Sequence, residues 1–291
     1  MRATELYKTR KNVISMEFFP PRNQEAEAGF GSMIDELATV KPDYMTVTFG
    51  AGGSTRDGSY QTVKQIWTDK KIPAVAYLAG YGLGPDELTA VLDKYRDLGI
   101  QTIFVIRGDK PQGKEFNAHP QSFSYASEMI AFIKKRYDFT LGCAGYPEGH
   151  IEAKNREEDI AHLKEKVDQG AEYIVTQYFY DNAFYFDYVE RCRKAGIRVP
   201  IVPGVMPVYT VKMTQMLAKV CGAKITDALK KRLDAVGDAD KDGVLNVGID
   251  FATEQCAGLL EHGVPGLHFY TMNRRKSTAD IIHRLKADHL L

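Results

Sequence analysis

The 291-residue sequence predicts an α/β protein of the (β/α)8 TIM-barrel class, with an extra helix before the last helix-strand unit. Three observations predict it. Short runs rich in β-formers alternate with helical patterns from end to end, the order of a parallel sheet with crossover helices. Eight such units fall within a length that suits one barrel with insertions. No low-complexity linker divides the chain, so residues 1–291 read as a single domain. The competing topology is a doubly wound open sheet.

The predicted strands are, in order, 12–19, 43–49, 72–79, 102–108, 139–146, 172–179, 199–206 and 266–272. A helical stretch follows each. "EAEAGFGSMIDELATV" follows the first, and "GPDELTAVLDKYRDLG" follows the third, with Pro85 in its first turn and Gly99 past its end. "NREEDIAHLKEKVDQG" follows the fifth and closes at Gly170. S-x-x-D signatures, Ser54 to Asp57 and Ser277 to Asp280, predict capped helix starts. The main irregularity is Lys224 to Gly243, read as the extra helix and loop.

Composition narrows the function classes. Lys+Arg and Asp+Glu balance at 38 each, so no global field draws in nucleic acid, and a charged ligand must be handled locally. Four widely spaced cysteines and seven histidines without ligand spacing suit neither a disulfide framework nor a metal site. The N-terminus is too charged for a signal peptide, and no apolar run approaches the ~18 residues of a membrane span, which makes a cytoplasmic location the default.

Side-chain parity points to a site. Successive strand residues face opposite sides. In the first strand Ile14, Met16 and Phe18 form an apolar set that leaves Val13, Ser15 and Glu17 facing inward. Thr46 and Thr48 oppose Met45, Val47 and Phe49; Arg107 and Asp109 share a face with Ile103 and Val105; Tyr77, Gln177, His268 and Tyr270 fall on inward faces. One inward Glu is more often structural than catalytic. Several polar residues converging late in the strands, where barrel enzymes keep their active sites, reverse that preference.

Other motifs carry less. "GAGGST" (50–55) and "GYGLG" (80–84) are not G-x-G-x-x-G and read as tight strand-to-helix turns. "DADKDGVLNVGI" (238–249) imitates half of an EF-hand loop, but Ile249 stands where a bidentate Glu is needed, so it reads as a polar helix start. "RGD" (107–109) ends a strand and is not an exposed adhesion motif.

Seven motifs at successive strand ends then give a specific signal: "MEFFPPR" (16–22), "VTFGAGGSTRD" (47–57), "GDKPQG" after "IR" (106–113), "AGYPEGH" (144–150), "TQYFYD" (176–181), "VPGVMPV" (202–208) and "HFYTMNR" (268–274). With them the chain resembles, over nearly its full length, the methylenetetrahydrofolate reductase family: flavin-dependent barrels that reduce 5,10-methylenetetrahydrofolate to 5-methyltetrahydrofolate. The resemblance implies FAD as cofactor and a single catalytic barrel. It implies Glu17 as general acid and Asp109 as the acidic residue beside flavin and folate. Gln177 matches the amide that hydrogen-bonds the pterin, and Arg274 a position of folate or donor contact. For FAD the matching positions are Thr48, Tyr77, Arg107, Gly108, Asp109, Tyr125, Ala126, Tyr146, His150, Asp159 and Lys166.

The chemistry agrees with that assignment. Opening the imidazolidine ring requires a proton on N10, which unmasks an N5 iminium able to accept hydride. Glu17 must therefore hold a proton, which a low-dielectric interior and the apolar Phe18, Phe19, Pro20, Pro21 collar favour, while Asp109 as a carboxylate would stabilise the cation. His150 and Lys166 would offset a diphosphate and Asp159 bind a ribose hydroxyl. Asp159, His162 and Lys166 share one face of their helix, which without the resemblance would read as an ordinary solvated face.

The sequence also departs from the family pattern. "AYLAG" (76–80) puts Tyr77 in place of a His near the flavin, and Ala79 and Gly80 in place of Thr and Cys. Met213 and Leu217 stand at a polar folate-contact position and an aromatic donor-stacking position. The electron donor is accordingly open between NADH, NADPH and an electron-transfer partner protein, and a homo-oligomer is compatible with the sequence. Two alternatives remain: an FMN-dependent barrel using a phosphate site in "VPGVMPVYT" and "MNRRKST", and a folate barrel that binds or transfers one-carbon units without redox chemistry.

Overall fold

Every predicted strand becomes part of one parallel sheet: β1 (Val13–Phe18), β2 (Tyr44–Val47), β3 (Ala74–Ala79), β4 (Thr102–Ile106), β5 (Thr140–Gly145), β6 (Tyr173–Thr176), β7 (Ile201–Val202), β8 (Gly204–Val205) and β9 (Gly266–Tyr270). A computed structural model describes residues 1–21, 23–49, 56–110 and 117–291 of the chain. Arg22, the "GAGGST" stretch with the Ser54 signature, and residues 111–113 of the "GDKPQG" motif lie outside them.

The hydrogen-bonded order β7-β6-β5-β4-β3-β2-β1-β9-β8 rolls the sheet into a nearly closed barrel. The seventh predicted strand is split in two at Pro203, which has no N–H to give to a ladder. β7 therefore pairs with β6 and β8 with β9. Other groups cover the break. His268 N donates to the Pro203 carbonyl at 3.0 Å, Gly204 N donates to Thr176 Oγ1 at 3.0 Å, and the Tyr270 hydroxyl donates to the Thr176 carbonyl at 2.8 Å.

The helices follow the expected order: α2 (Gln24–Ala38), α3 (Arg56–Lys64) continued by a π-turn (Gln65–Asp69), α4 (Pro85–Asp97), α5 (Ala126–Lys134), α6 (Arg156–Asp168), α7 (Asn182–Lys194), α8 (Val211–Cys221), α9 (Asp227–Val236), α10 (Lys241–Glu261) and α11 (Arg275–Ala287). Short polar residues start several of them. Asn23 and Asn155 accept from the third backbone N–H of α2 and α6, both at 2.8 Å. Asp240 does the same for α10, accepting from Gly243 N at 2.9 Å, so "DADKDG" is a helix start. α9 is the extra helix.

The Ser277 signature does not cap α11. Met272 and Asn273 adopt φ of 52° and 55°, and the Asn273 side chain bonds both the N–H and the carbonyl of Phe19 at 2.9 Å. This clamp turns the chain early, α11 begins at Arg275, and Ser277 is buried within its first turn.

α1 (Ala3–Thr9) lies ahead of β1 in a segment whose charge gave no hint of a helix. It packs across the floor of the barrel: Ala3 N donates to Thr102 Oγ1 at 3.1 Å, and the Tyr7 and Tyr44 hydroxyls lie 2.7 Å apart.

Inside the barrel, register stacks the inward residues in layers. Ser15 lies level with Tyr44 and His268, and Glu17 with Thr46 and Tyr270. On the other face of β1, Phe18 packs edge-on against Phe30 of α2, with ring centroids 6.1 Å apart. Large rings fill the far side of the interior. A Cβ at Gly142 would overlap Tyr173 and Phe104, so β5 carries glycine where its neighbours carry aromatics.

Candidate active site

The β1 register turns Glu17 into the barrel at the C-terminal end of the strand, where 8% of it is exposed. Its carboxylate lies 3.7 Å from His268 Nε2 and hydrogen-bonds the Tyr77 hydroxyl. Tyr270, level with it on β9, donates to Thr176. Burial first, and the Glu17 charge second, push both tyrosine hydroxyls well above their ordinary range, so both remain neutral donors. The Tyr77 ring packs against Phe104 at 4.5 Å. Thr46 Oγ1, level with Glu17, is buried and has no hydrogen-bond partner among the described residues. Thr48 is half-buried at the end of β2, its N–H donating to Phe18 O at 2.9 Å.

Arg107 occupies a second region. Because Phe104 points inward against Tyr77 and Tyr173, the face shared by Ile103, Val105 and Arg107 is the helix-facing one. Arg107 opens into a groove of about 340 Å³ between the ends of β4 and β5, the start of α5 and one side of α6. Tyr125, Ala126, Tyr146, His150, Asp159 and Lys166 line the same groove, so the structure brings these six together with Arg107.

Each is held by identifiable contacts. Tyr146 and His150 meet edge to face at 4.6 Å, and the Lys166 ammonium donates to the Ala144 carbonyl at 2.7 Å while lying 6.0 Å from the Tyr146 ring. Asp159 accepts from the His150 backbone; burial pushes its carboxyl above the ordinary range, and Lys166 opposes that shift. Exposed Tyr125 stacks on His162 at 6.4 Å. Gly108, at φ 81°, passes so close to β3 that a Cβ would come within 3.1 Å of Ala79 Cβ.

Asp109, Gln177 and Arg274 stand around these regions. Asp109 is exposed just beyond β4, and its charge acts on Tyr146 and on Cys221. Gln177 follows β6 and borders a small cavity with Tyr146, Glu148 and Tyr178. Arg274 is exposed on the β9–α11 turn, with its guanidinium 5.3 Å from the Tyr209 ring. Met213 and Leu217 of α8 pack against a second apolar cluster containing Tyr178, Tyr180 and Tyr209.

Two features escape a reading of the sequence. Glu152 pairs with Arg107 at 2.7 Å, and that hydrogen bond lowers the Glu152 carboxyl below its usual range. Ser15 lies behind Glu17, bonded to His268. Parity faced both inward but indicated no contact between them. Among the described residues, no group of three His, Cys, Asp or Glu side chains could hold a metal, and no helix is long and apolar enough to cross a membrane.

The groove supplies an arginine, a lysine and a histidine beside a buried carboxylate and exposed aromatic faces. That set can hold a flat dinucleotide, with cations for its phosphates and a carboxylate for a ribose hydroxyl. The barrel mouth supplies a shielded carboxyl group among neutral donors, which suits proton transfer.

Comparison with known proteins gives the family. The family model for methylenetetrahydrofolate reductase matches residues 2–286. The 5,10-methylenetetrahydrofolate reductase of Escherichia coli is 36% identical over 272 residues, covering 94% of this chain and 90% of that protein. Methylenetetrahydrofolate reductase 1 of Schizosaccharomyces pombe is 36% identical over 278 residues, covering 94% of this chain but 46% of the longer yeast protein. Among solved structures, a Clostridium thermocellum protein that binds two copies of 5-methyl-5,6,7,8-tetrahydrofolic acid superposes with a TM-score of 0.66 at 17% identity, over 100% of this chain and 99% of that one, and so shares the fold.

Proposed function

The chain belongs to the methylenetetrahydrofolate reductase family, a family of oxidoreductases, and from that premise we propose that it reduces 5,10-methylenetetrahydrofolate to 5-methyltetrahydrofolate with FAD as cofactor and Glu17 as general acid. One observation carries the reading: Glu17 is a shielded carboxyl at the mouth of the barrel, ringed by Tyr77, His268 and Tyr270.

The residues present fit FAD. Arg107, His150 and Lys166 suit the diphosphate and Asp159 a ribose hydroxyl. FAD, when bound, supplies the hydride. Glu17 holds the proton that N10 must receive before the imidazolidine ring opens. Asp109 is exposed at the lip, where a carboxylate stabilises the cation left on the substrate. Gln177 offers its amide to the pterin, and Arg274, on the outermost turn, suits the acidic tail of the folate. Two carboxyl groups thus take opposite roles because one is enclosed and the other is wet.

The groove beside β4, β5 and α6 places Arg107, His150 and Lys166 near exposed aromatic faces, and this favours a dinucleotide there over an FMN site after the seventh and eighth strands. There, Arg275 already pairs with Glu36 at 3.0 Å and Lys276 with Asp280 at 3.5 Å. Heating the purified protein should release FAD, identifiable by chromatography. FMN would redirect the assignment, and a colourless protein that takes up no flavin would overturn it.

Glu17→Gln should abolish folate reduction while the flavin is still reduced by its donor, measured as separate anaerobic half-reactions. Equal loss of both would make Glu17 structural. Reduction by NADH, NADPH and a low-potential one-electron donor in turn identifies the donor.

A further inference from the structure

Glu148 lies in the loop after β5 that also carries Tyr146 and His150, and its half-buried side chain reaches across to the turn after α8. Both carboxylate oxygens accept from the Lys224 backbone N–H, at 3.2 and 3.1 Å. Beside this contact the Ile151 side chain lies over Gly222, where a Cβ would come within 2.7 Å of Ile151 Cγ2. Gly222 closes α8 in the left-handed region, at φ 75°.

The two sides of the contact are held unequally. The loop after β5 has bonds of its own: Gly149 N donates to the Tyr146 carbonyl at 2.9 Å, Ala153 N to the His150 carbonyl at 3.0 Å, and Glu152 N to His150 Nδ1 at 3.1 Å. Among the described residues, the Lys224–Glu148 contact is the one hydrogen bond from residues 222–225 to a distant part of the chain. α8 packs on the second apolar cluster through Met213 and Leu217, while its Met216 and Val220 stay exposed. Glu148 therefore fixes the end of α8 more than it fixes the cofactor loop.

That end of α8 is also a wall on the folate side. Cys221 and Ala223 border, with Glu148, Gln177 and Tyr178, a cavity of about 10 Å³, room for at most one water. Walls so nearly in contact transmit a shift of Cys221 and Ala223 to Gln177 and Tyr178. We propose that Glu148 is a positioning residue for folate: it anchors the end of α8 to the cofactor loop and so holds the wall behind Gln177. In this role, which rests on Gln177 meeting the pterin, Glu148 needs no contact with substrate or flavin. Arg156 and Lys224 favour its charge and Asp181 opposes it. A counter-charge must be a carboxylate, whereas an anchor needs only an acceptor oxygen.

The test uses the flavin-loaded enzyme. Glu148→Ala should raise the KM for methylenetetrahydrofolate about five- to tenfold, with the limiting rate of flavin reoxidation and the Kd for FAD changed by less than about twofold. Glu148→Gln keeps an oxygen for the Lys224 N–H and should leave all three within about twofold of the unmodified enzyme. A second readout needs no turnover. Cys221, at the end of α8, is half-buried where the other three cysteines are buried, so its rate of reaction with a thiol reagent reports the anchoring. That rate should rise about fivefold in Glu148→Ala and stay unchanged in Glu148→Gln. An unchanged KM in Glu148→Ala overturns the proposal whatever the thiol rate, and so does an unchanged thiol rate. A Glu148→Gln enzyme that fails like the alanine variant overturns it in favour of a counter-charge. A parallel loss of FAD affinity in Glu148→Ala overturns it by placing the anchoring on the cofactor loop. Gln177→Ala checks the premise separately: an unchanged folate KM there would remove the assignment of Gln177 to the pterin, and the role of Glu148 with it, even if the thiol rate responds.

Discussion

Arg107 enters the groove already engaged. Its pair with Glu152 is 2.7 Å long but partly wet, with side chains 33% and 59% exposed, so it is worth on the order of 0.2–1 kcal/mol. A diphosphate arriving there competes with Glu152 for the same guanidinium. Glu152→Gln should therefore tighten FAD binding, by about two- to fivefold in Kd measured by flavin fluorescence, and raised salt should narrow the difference. Unchanged affinity would place the phosphates elsewhere. Asp159 has the opposite problem. Burial raises its carboxyl above the ordinary value, so the folded state holds that proton more tightly than the unfolded state does. Its contribution to stability is fullest below the unfolded value and is lost as pH rises through the folded one. Asp159→Asn should accordingly raise the thermal midpoint at pH 7, with the gain vanishing in acid, while FAD affinity falls. A lower midpoint at pH 7 would show that Lys166 and His150 outweigh the burial cost.

Among the elements, β5 shows how barrel packing constrains a strand. Gly142 faces inward between the rings of Phe104 and Tyr173, both buried and both hemmed in by further aromatics. Gly142→Ala should cost about 1–3 kcal/mol by overpacking, read as a lower denaturant midpoint; no change would mean that the rings yield freely. The helix start of α6 also serves the site, since Asp159 lies in its first turn. Local signals for such elements were readable: asparagine before α2 and α6, and the aspartate cluster before α10. The Ser277 signature misled because nothing local reveals the Asn273–Phe19 clamp, which joins residues 254 positions apart and starts α11 early. The split at Pro203 was visible as a proline, but whether the strand would end there or bridge the gap depended on Thr176, His268 and Tyr270.

At the scale of the molecule, the barrel is closed at its floor by α1. Deleting residues 1–11 would remove buried Ala3 and the Tyr7–Tyr44 bond, at a cost of about 3 kcal/mol and roughly 6–9 °C in the melting midpoint. An unaltered midpoint would make α1 an ornament of the floor. The sequence by itself determined the alternating β and α order, the family and the inward placement of Glu17. Each depends on signals read within a few residues, because side-chain direction repeats every two positions along a strand. Tertiary structure alone decided that Phe104 takes the interior and Arg107 the helix side, that Glu152 reaches Arg107 from 45 positions away, and that Ser15 and His268, 253 apart, meet behind Glu17. Those contacts join strands and loops brought together by barrel closure, and local periodicity carries no record of which side chains that closure makes neighbours.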